Sequence, residues 1–116
     1  MDSLDEALVL IKFEAFAAEG IVSLVRFWTA PTLDRMERLR QSLERVARES
    51  HGWKTIDREL ACCLYLLSAY VESVLAPHLG AGGKWADTGL ADALIQNTEQ
   101  IEAIFGVYDD QIGAGV

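Results

Sequence analysis

The feature that most restricts the fold of this chain is a run of twelve uncharged residues, 60–71, in a sequence of 116 residues with 28 charged side chains. The run lies between Glu59 and Glu72 and is too short for a membrane span, which needs about 20 largely apolar residues. A helix that is apolar on all sides belongs in a protein core. We therefore expect this segment to be the central helix of a soluble bundle, with no membrane partner.

The two cysteines of the chain, Cys62 and Cys63, are adjacent within this run. Neighbouring residues on a helix project about 100° apart, so the two thiols cannot share a metal ion. Buried cysteine behaves as a small hydrophobic residue, and we expect both thiols to pack in the core. The sequence thus predicts no metal, no cofactor and a reducing compartment. The acidic start, MDSLDEALVL, lacks the bases of a secretory signal, so the predicted localisation is cytoplasmic.

Apolar residues recur at helical spacing in four segments, and no segment alternates as a strand does. The predicted helices cover residues 3–28, 32–50, 55–76 and 89–108, and a mobile glycine-rich loop covers residues 77–88. Short connections place consecutive helices antiparallel. The sequence therefore predicts an all-α fold, in which residues 1–116 form one small antiparallel bundle of about four helices that dimerises.

The first predicted helix is apolar around most of its circumference. Apolar residues in a 4-3 repeat, from Leu4 to Val25, form one face, and a second flank carries aromatic residues. Because the other helices offer narrow apolar seams, this second flank is left without cover inside the bundle. We expect it to bind a partner through Val9, Phe13, Phe16, Phe27 and Trp28.

Two polar side chains fall at predicted core positions. Glu14 lies on the helical wheel opposite the charged line of the first helix, so its carboxylate needs a buried partner. We expect that partner to be an arginine of the second helix. Asn97 is the polar residue in the seam of the last helix, where it is expected to fix the register of helix packing.

The net charge of −8 comes from 18 acids and 10 bases that are distributed unevenly. Residues 29–58 carry seven bases and five acids, whereas both ends of the chain are acidic. The acids of the second helix are spaced to pair with its arginines, and they would repel phosphate groups. Nucleic acid is therefore not an expected partner, and a protein with a basic surface is.

The predicted topology brings the end of the first helix and the start of the last to one pole of the bundle. Trp28, His78 and Trp85 are expected to meet there, with Trp53 at the opposite pole. The nearby segment LGAGGKW has the glycines and lysine of a phosphate-binding loop, but it lacks the preceding strand and the following Ser or Thr. A ligand pocket lined by Trp28, His78 and Trp85 is the alternative interpretation, and nucleotide binding is not expected.

No motif in the sequence identifies an enzyme, and neither His51 nor His78 has a catalytic partner at a recognisable spacing. The leading hypothesis is a small acidic cytoplasmic regulator, not an enzyme, that inhibits or sequesters a partner protein through apolar helix surface. An anti-activator and an immunity-type inhibitor both fit this description, and a homodimer is expected. The alternative is a small-molecule-binding or enzymatic bundle that uses the aromatic pole.

Overall fold

The computed structural model describes residues 3–106, and every regular element in that range is helical. The all-α fold predicted from the sequence is therefore confirmed. Residues 107 and 108, which the sequence places in the last helix, lie outside the described range. The helices are α1 (Leu4–Phe16), α2 (Ile21–Arg26), α3 (Leu33–Ser50), α4 (Arg58–Leu79) and α5 (Leu90–Ile104).

The first predicted helix is broken into α1 and α2. Ala17 leaves the helix with an extended backbone, at φ −69° and ψ 150°, and Gly20 precedes α2. A side chain at Gly20 would clash, because its Cβ would lie 2.3 Å from the carbonyl oxygen of Phe13. The backbone N–H of Ile21 donates to the Glu14 carboxylate at 3.1 Å. The prediction of one continuous helix is wrong because this close approach and this cap leave no trace in the apolar spacing.

Helix α2 ends in a turn in which Trp28 has a left-handed backbone, at φ 64°. The N–H of Trp28 donates to the carbonyl of Val25 at 3.0 Å, and the N–H of Thr29 donates to that of Leu24 at 2.8 Å. This is the Schellman pattern of helix ends, which usually has glycine at the left-handed position. A residue with a side chain costs about 1 kcal/mol of backbone strain there. Other contacts of Trp28 must therefore offset this backbone strain.

Helix α3 is the most charged helix and also the most extensively packed, with α1 on one side and α5 on the other. Thr32 caps its start, because the Thr32 hydroxyl accepts the N–H of Arg35 at 3.2 Å. The predicted helix, 32–50, agrees with the observed bounds to within one residue. Its buried apolar stripe consists of Met36, Leu39, Leu43 and Val46, a narrow seam of the kind expected from the sequence.

Helices α3 and α5 lie side by side and run in the same direction. Leu33 and Gly89, at the starts of the two helices, line one shallow cleft. Further along, the buried Asn97 amide donates to the carbonyl of Met36 at 3.4 Å, which confirms that Asn97 sits in a helix seam. In an ordinary up-down-up-down bundle these two helices would be diagonal. In this protein consecutive helical segments still alternate in direction. The second and fourth segments, α3 and α5, are nevertheless in direct contact and run parallel to each other.

Helix α4 is a continuous helix of 22 residues with a π-helical turn at Leu66–Tyr70. It passes through Pro77, whereas the sequence predicts an end before this proline. Proline removes the backbone bond to the carbonyl of Ser73. Ser73 and Pro77 are both exposed, so water can satisfy the freed carbonyl and the helix continues.

The apolar helix α4 is not the centre of the fold. Only 33 % of its most apolar 18-residue window is buried, and Cys62, Tyr65 and Ala69 are exposed on its outer face. Cys63 is buried and Cys62 is exposed, so the prediction that both thiols pack in the core is wrong for Cys62. By length and composition alone α4 could cross a membrane, a criterion that core helices of soluble proteins also meet.

Candidate functional site

A groove of about 650 Å³ lies between α1 and α3, and we call it the α1–α3 groove. Its apolar lining consists of Val9, Leu10 and Phe13. Val9 is 67 % exposed, Phe13 46 % and Phe16 49 %. These three residues follow an i, i+4, i+7 spacing, so they form one stripe along α1. We call Val9, Phe13 and Phe16 the α1 stripe.

The other two predicted partner-binding residues are not on this stripe. Phe27 and Trp28 are exposed, but they lie beyond the break, at the end of α2. The Trp28 ring packs edge-on against His78, with ring centroids 4.9 Å apart and an interplanar angle of 85°. The sequence placed all five residues on one flank because a continuous helix was assumed.

The aromatic pole forms as predicted, since His78 also contacts Trp85 with ring centroids 5.4 Å apart. Trp85 is buried, and its backbone N–H donates to the carbonyl of His78 at 2.9 Å. The Lys84 ammonium donates to the carbonyl of Trp28 at 3.4 Å. These two bonds connect the centre of the 77–88 loop to α4 and to the end of α2, and the mobility of this loop stays a prediction. A ligand could not lie between these rings without displacing one of them.

Glu14 has the arginine partner that the sequence predicts. The Arg35 guanidinium of α3 is bonded to both oxygens of the Glu14 carboxylate, and the Nε to Oε2 distance is 3.3 Å. Arg35 also donates to the backbone carbonyl of Glu19 at 2.8 Å. With the Ile21 N–H and the two bonds from Arg35, both oxygens of the buried Glu14 carboxylate accept hydrogen bonds. The network joins the end of α1, the start of α2 and the start of α3 beneath the groove.

Arg35 also supports the aromatic part of the groove. The guanidinium carbon lies 6.0 Å from the centroid of the Phe13 ring, within the range of a cation–π contact. Because Glu14 and the Glu19 carbonyl hold the guanidinium, one face of the Phe13 ring has a fixed neighbour. A side chain held in this way loses little freedom when a partner binds.

Carboxylates outnumber bases around the groove. Of its two guanidinium groups, Arg35 is committed to Glu14, and Arg38 lies 3.7 Å from Asp34. In the part of the chain that the structure describes, Asp5 and Glu19 form no ion pair. The rim of the groove is therefore negative through the carboxylates of Asp5, Glu6 and Glu19, whereas the buried Glu14 is paired with Arg35.

Sequence reasoning missed the side of the groove that α3 contributes. Arg35 and Arg38 line it, but the periodicity of α3 marks only the residues that face the core. The available signal was Glu14, since a carboxylate on an apolar helix face requires a cation from a neighbouring helix. That signal indicated the contact between the two helices but gave no indication of a groove beside it.

The opposite pole carries Trp53, as the sequence predicts. Trp53 lines a cleft of about 460 Å³ with His51, Ile104 and Phe105, at the far end of α5 from the Trp85 cluster. Within residues 3–106, no group of three or more His, Cys, Asp or Glu side chains could hold a metal ion. Burial raises the pKa of the Cys63 thiol to about 11, so this thiol is protonated at neutral pH.

Comparison with protein-family models found no matching family, and comparisons with curated proteins and with solved structures found no match.

Proposed function

We propose that this protein is a small cytoplasmic regulator that binds another protein through the α1 stripe and thereby inhibits or sequesters it. The observation that supports the proposal is the exposure of Val9, Phe13 and Phe16 on a helix whose other side is built into the core. Adjacent exposed apolar side chains commonly mark interaction sites. Aromatic residues are also enriched at the centres of protein interfaces.

The openness of the groove favours a macromolecular partner over a small ligand. Small-molecule sites typically enclose about 70–90 % of the ligand surface. Val9 forms one wall of the groove and is itself 67 % exposed, so this wall is shallow and open to solvent. At the aromatic pole, the contact between the Trp28 and His78 rings takes the place that a ligand would need. The structure therefore gives the ligand-binding alternative no specific support.

A rigid binding surface suits a protein that acts by occupying its target. Helix α1 is joined to α3 by the Glu14–Arg35 pair and to α4 by an ion pair between Lys12 and Glu59 at 2.5 Å. Such a surface needs little ordering on binding, which leaves more of the contact energy for affinity. A stable complex typically buries about 1,200–2,000 Å². The α1 stripe would be the centre of such a contact, and the partner's own working surface would be blocked.

The acidic rim favours a different protein over a second copy as the occupant of this surface. A symmetric contact through the groove would bring Asp5 and Glu19 of two copies close together, and like charges repel. The same acids disfavour nucleic acid and anionic membranes as partners. The homodimer expected from the sequence stays a prediction, to be measured by light scattering.

The proposal is tested by affinity purification from the native host with the wild type and two variants, followed by mass spectrometry. Phe13→Asp removes an anchor of the α1 stripe, whereas Ile95→Asp makes the same change at an exposed apolar residue on α5. The expected result is a protein captured by the wild type and by Ile95→Asp but lost with Phe13→Asp. The purified partner should then lose its activity in a one-to-one complex. Equal capture by both variants would exclude the α1 stripe.

A further inference from the structure

We infer that the α1–α3 groove receives a basic amphipathic α-helix of the partner protein. The inference rests on the proposed function and adds the chemical class of the bound segment. It is carried by three features of the groove: its two helical walls, its acidic rim and the pairing of its two arginines with carboxylates of the same chain.

The walls of the groove determine the conformation of the occupant. Helix α1 has 13 residues, which corresponds to a length of about 20 Å. A helix lying along it would present apolar side chains at i, i+3 or i+4 and i+7 to Val9 and Phe13. The alternative mode, addition of a strand, needs an unpaired strand edge, and residues 3–106 contain no strand.

The rim determines the charge of the occupant. The carboxylates of Asp5 and Glu19 form no ion pair with other described residues, and the Glu6 carboxylate accepts only the hydroxyl of Ser3, at 3.1 Å. Lysine or arginine on the flanks of an incoming helix would meet these groups. Complementary charges of this kind increase the association rate and select against other partners.

The two arginines that line the groove oppose a basic helix only weakly, because each lies beside a carboxylate of the chain itself. Arg35 is bonded to the Glu14 carboxylate and to the Glu19 carbonyl, and Arg38 is paired with Asp34. The Arg35 guanidinium stays beside the Phe13 ring and supports the apolar floor. The groove therefore combines an apolar floor with unneutralised negative charge only at its edges.

The experiment uses two labelled synthetic peptides of about 14 residues, long enough for roughly four helical turns. Both have leucine at i, i+4, i+7 and i+11, and the other positions are alanine with either lysine or glutamate. Fluorescence anisotropy measures their binding to the full chain. The lysine peptide should bind at least about tenfold more tightly than the glutamate peptide, and its affinity should fall as salt screens the charges.

Paired variants separate the local charge of the rim from the net charge of the chain. Asp5→Asn with Glu19→Gln should weaken binding of the lysine peptide about fivefold or more, since both charges adjoin the groove. Asp92→Asn with Glu99→Gln makes the same change in net charge on the exposed face of α5 and should alter it less than about twofold. Phe13→Ser should abolish binding, whereas Ile95→Ser should not.

Several outcomes would overturn the inference. They are equal affinity for the two peptides, equal effects of the two charge pairs, no binding of either peptide, and a dimer that dissociates with Phe13→Ser and thus reveals a second copy in the groove. A native partner whose capture depends on Phe13 but whose bound segment is acidic or extended would leave the proposed function standing and refute this inference. Binding of the lysine peptide without Phe13-dependent capture of a native partner would leave this inference about the groove standing and refute the proposed function.

Discussion

The guanidinium of Arg35 reaches across from α3 to the carboxylate of Glu14 on α1, with Nε and Oε2 3.3 Å apart. The Glu14 side chain is only 6 % exposed, so its charge depends on this partner and on the Ile21 N–H. A single side-chain pair therefore fixes the break in the first helical segment and the wall of the groove that lies above it.

Replacing Arg35 by alanine should lower the free energy of unfolding by about 2–4 kcal/mol, because a buried carboxylate is left without its cation. Urea denaturation measures this change. The matched control is Arg38→Ala, which removes an exposed guanidinium 3.7 Å from Asp34 and should cost less than about 0.5 kcal/mol. Similar losses for the two variants would show that the Glu14–Arg35 pair contributes no more than a surface contact.

Replacing Gly20 by alanine should destabilise the protein by about 1–3 kcal/mol, as overpacking against rigid atoms does. The new Cβ would lie 2.3 Å from the Phe13 carbonyl oxygen and 2.7 Å from that of Glu14, and both are backbone atoms. Gly80→Ala is the control, because no atom lies within 4 Å of a Cβ at that site. It should leave stability unchanged or raise it by about 0.4–1 kcal/mol. If Gly20→Ala unfolds at the wild-type urea concentration, the break does not require glycine.

Replacing Trp28 by glycine should be less harmful than replacing it by alanine. Both changes remove the ring that packs on His78, but only glycine is free of strain at φ 64°. The glycine variant should therefore be the more stable of the two by about 1 kcal/mol in urea denaturation. An alanine variant of equal or higher stability would mean that the backbone of this turn relaxes once the ring is gone.

The two adjacent thiols should differ sharply in reactivity. Cys62 is exposed, whereas burial of Cys63 raises its pKa from 9.0 to about 11. At pH 8 only about one Cys63 thiol in a thousand would be ionised, so a thiolate-specific reagent should modify Cys62 alone in the folded protein. Mass spectrometry after labelling counts the modified sites. The Cys62→Ser variant should remain unlabelled until urea unfolds it, and rapid labelling of the folded variant would contradict the burial of Cys63.

The same pKa shift gives stability a defined pH dependence. The Cys63 pKa is higher in the folded state, so the unfolded chain loses this proton first as the pH rises. The contribution of Cys63 to the free energy of unfolding should therefore decline between about pH 9 and pH 11. Urea denaturation of the wild type and of Cys63→Ala across this range measures it. Parallel pH profiles for the two proteins would exclude the effect.

The apolar seams could be predicted from the sequence, because a buried stripe must repeat with the period of the helix. The stripe of α3 and the burial of Asn97 follow this rule. The meeting of Trp28, His78 and Trp85 at one pole follows instead from the antiparallel connection of the helices. The positions of the helix ends follow different physics. The break before Gly20 depends on a backbone approach, and the passage of α4 through Pro77 depends on exposure to water.

The arrangement of the helices around the core was the hardest part to predict. The apolar content of α4 indicated a central position, yet Cys62 and Tyr65 face outward. The narrow seam of α3 indicated a peripheral helix, yet α3 packs on both α1 and α5. Composition records how much apolar surface a helix has. It does not record which neighbours cover that surface, and a groove between two helices depends on that arrangement.

The π-helical turn at Leu66–Tyr70 lets α4 keep one side toward the bundle although its buried residues Leu67, Val71 and Leu75 are spaced four apart. An α-helix turns once in 3.6 residues, so such spacing would rotate the stripe away from its neighbours, and the wider turn takes up the excess. A chain with one residue fewer in this turn would form a regular α-helix. The parts of α4 before and after the turn would still direct their buried residues to the same side. The length of α4 can therefore change by one residue at this turn without reorienting either Cys63 or Leu75.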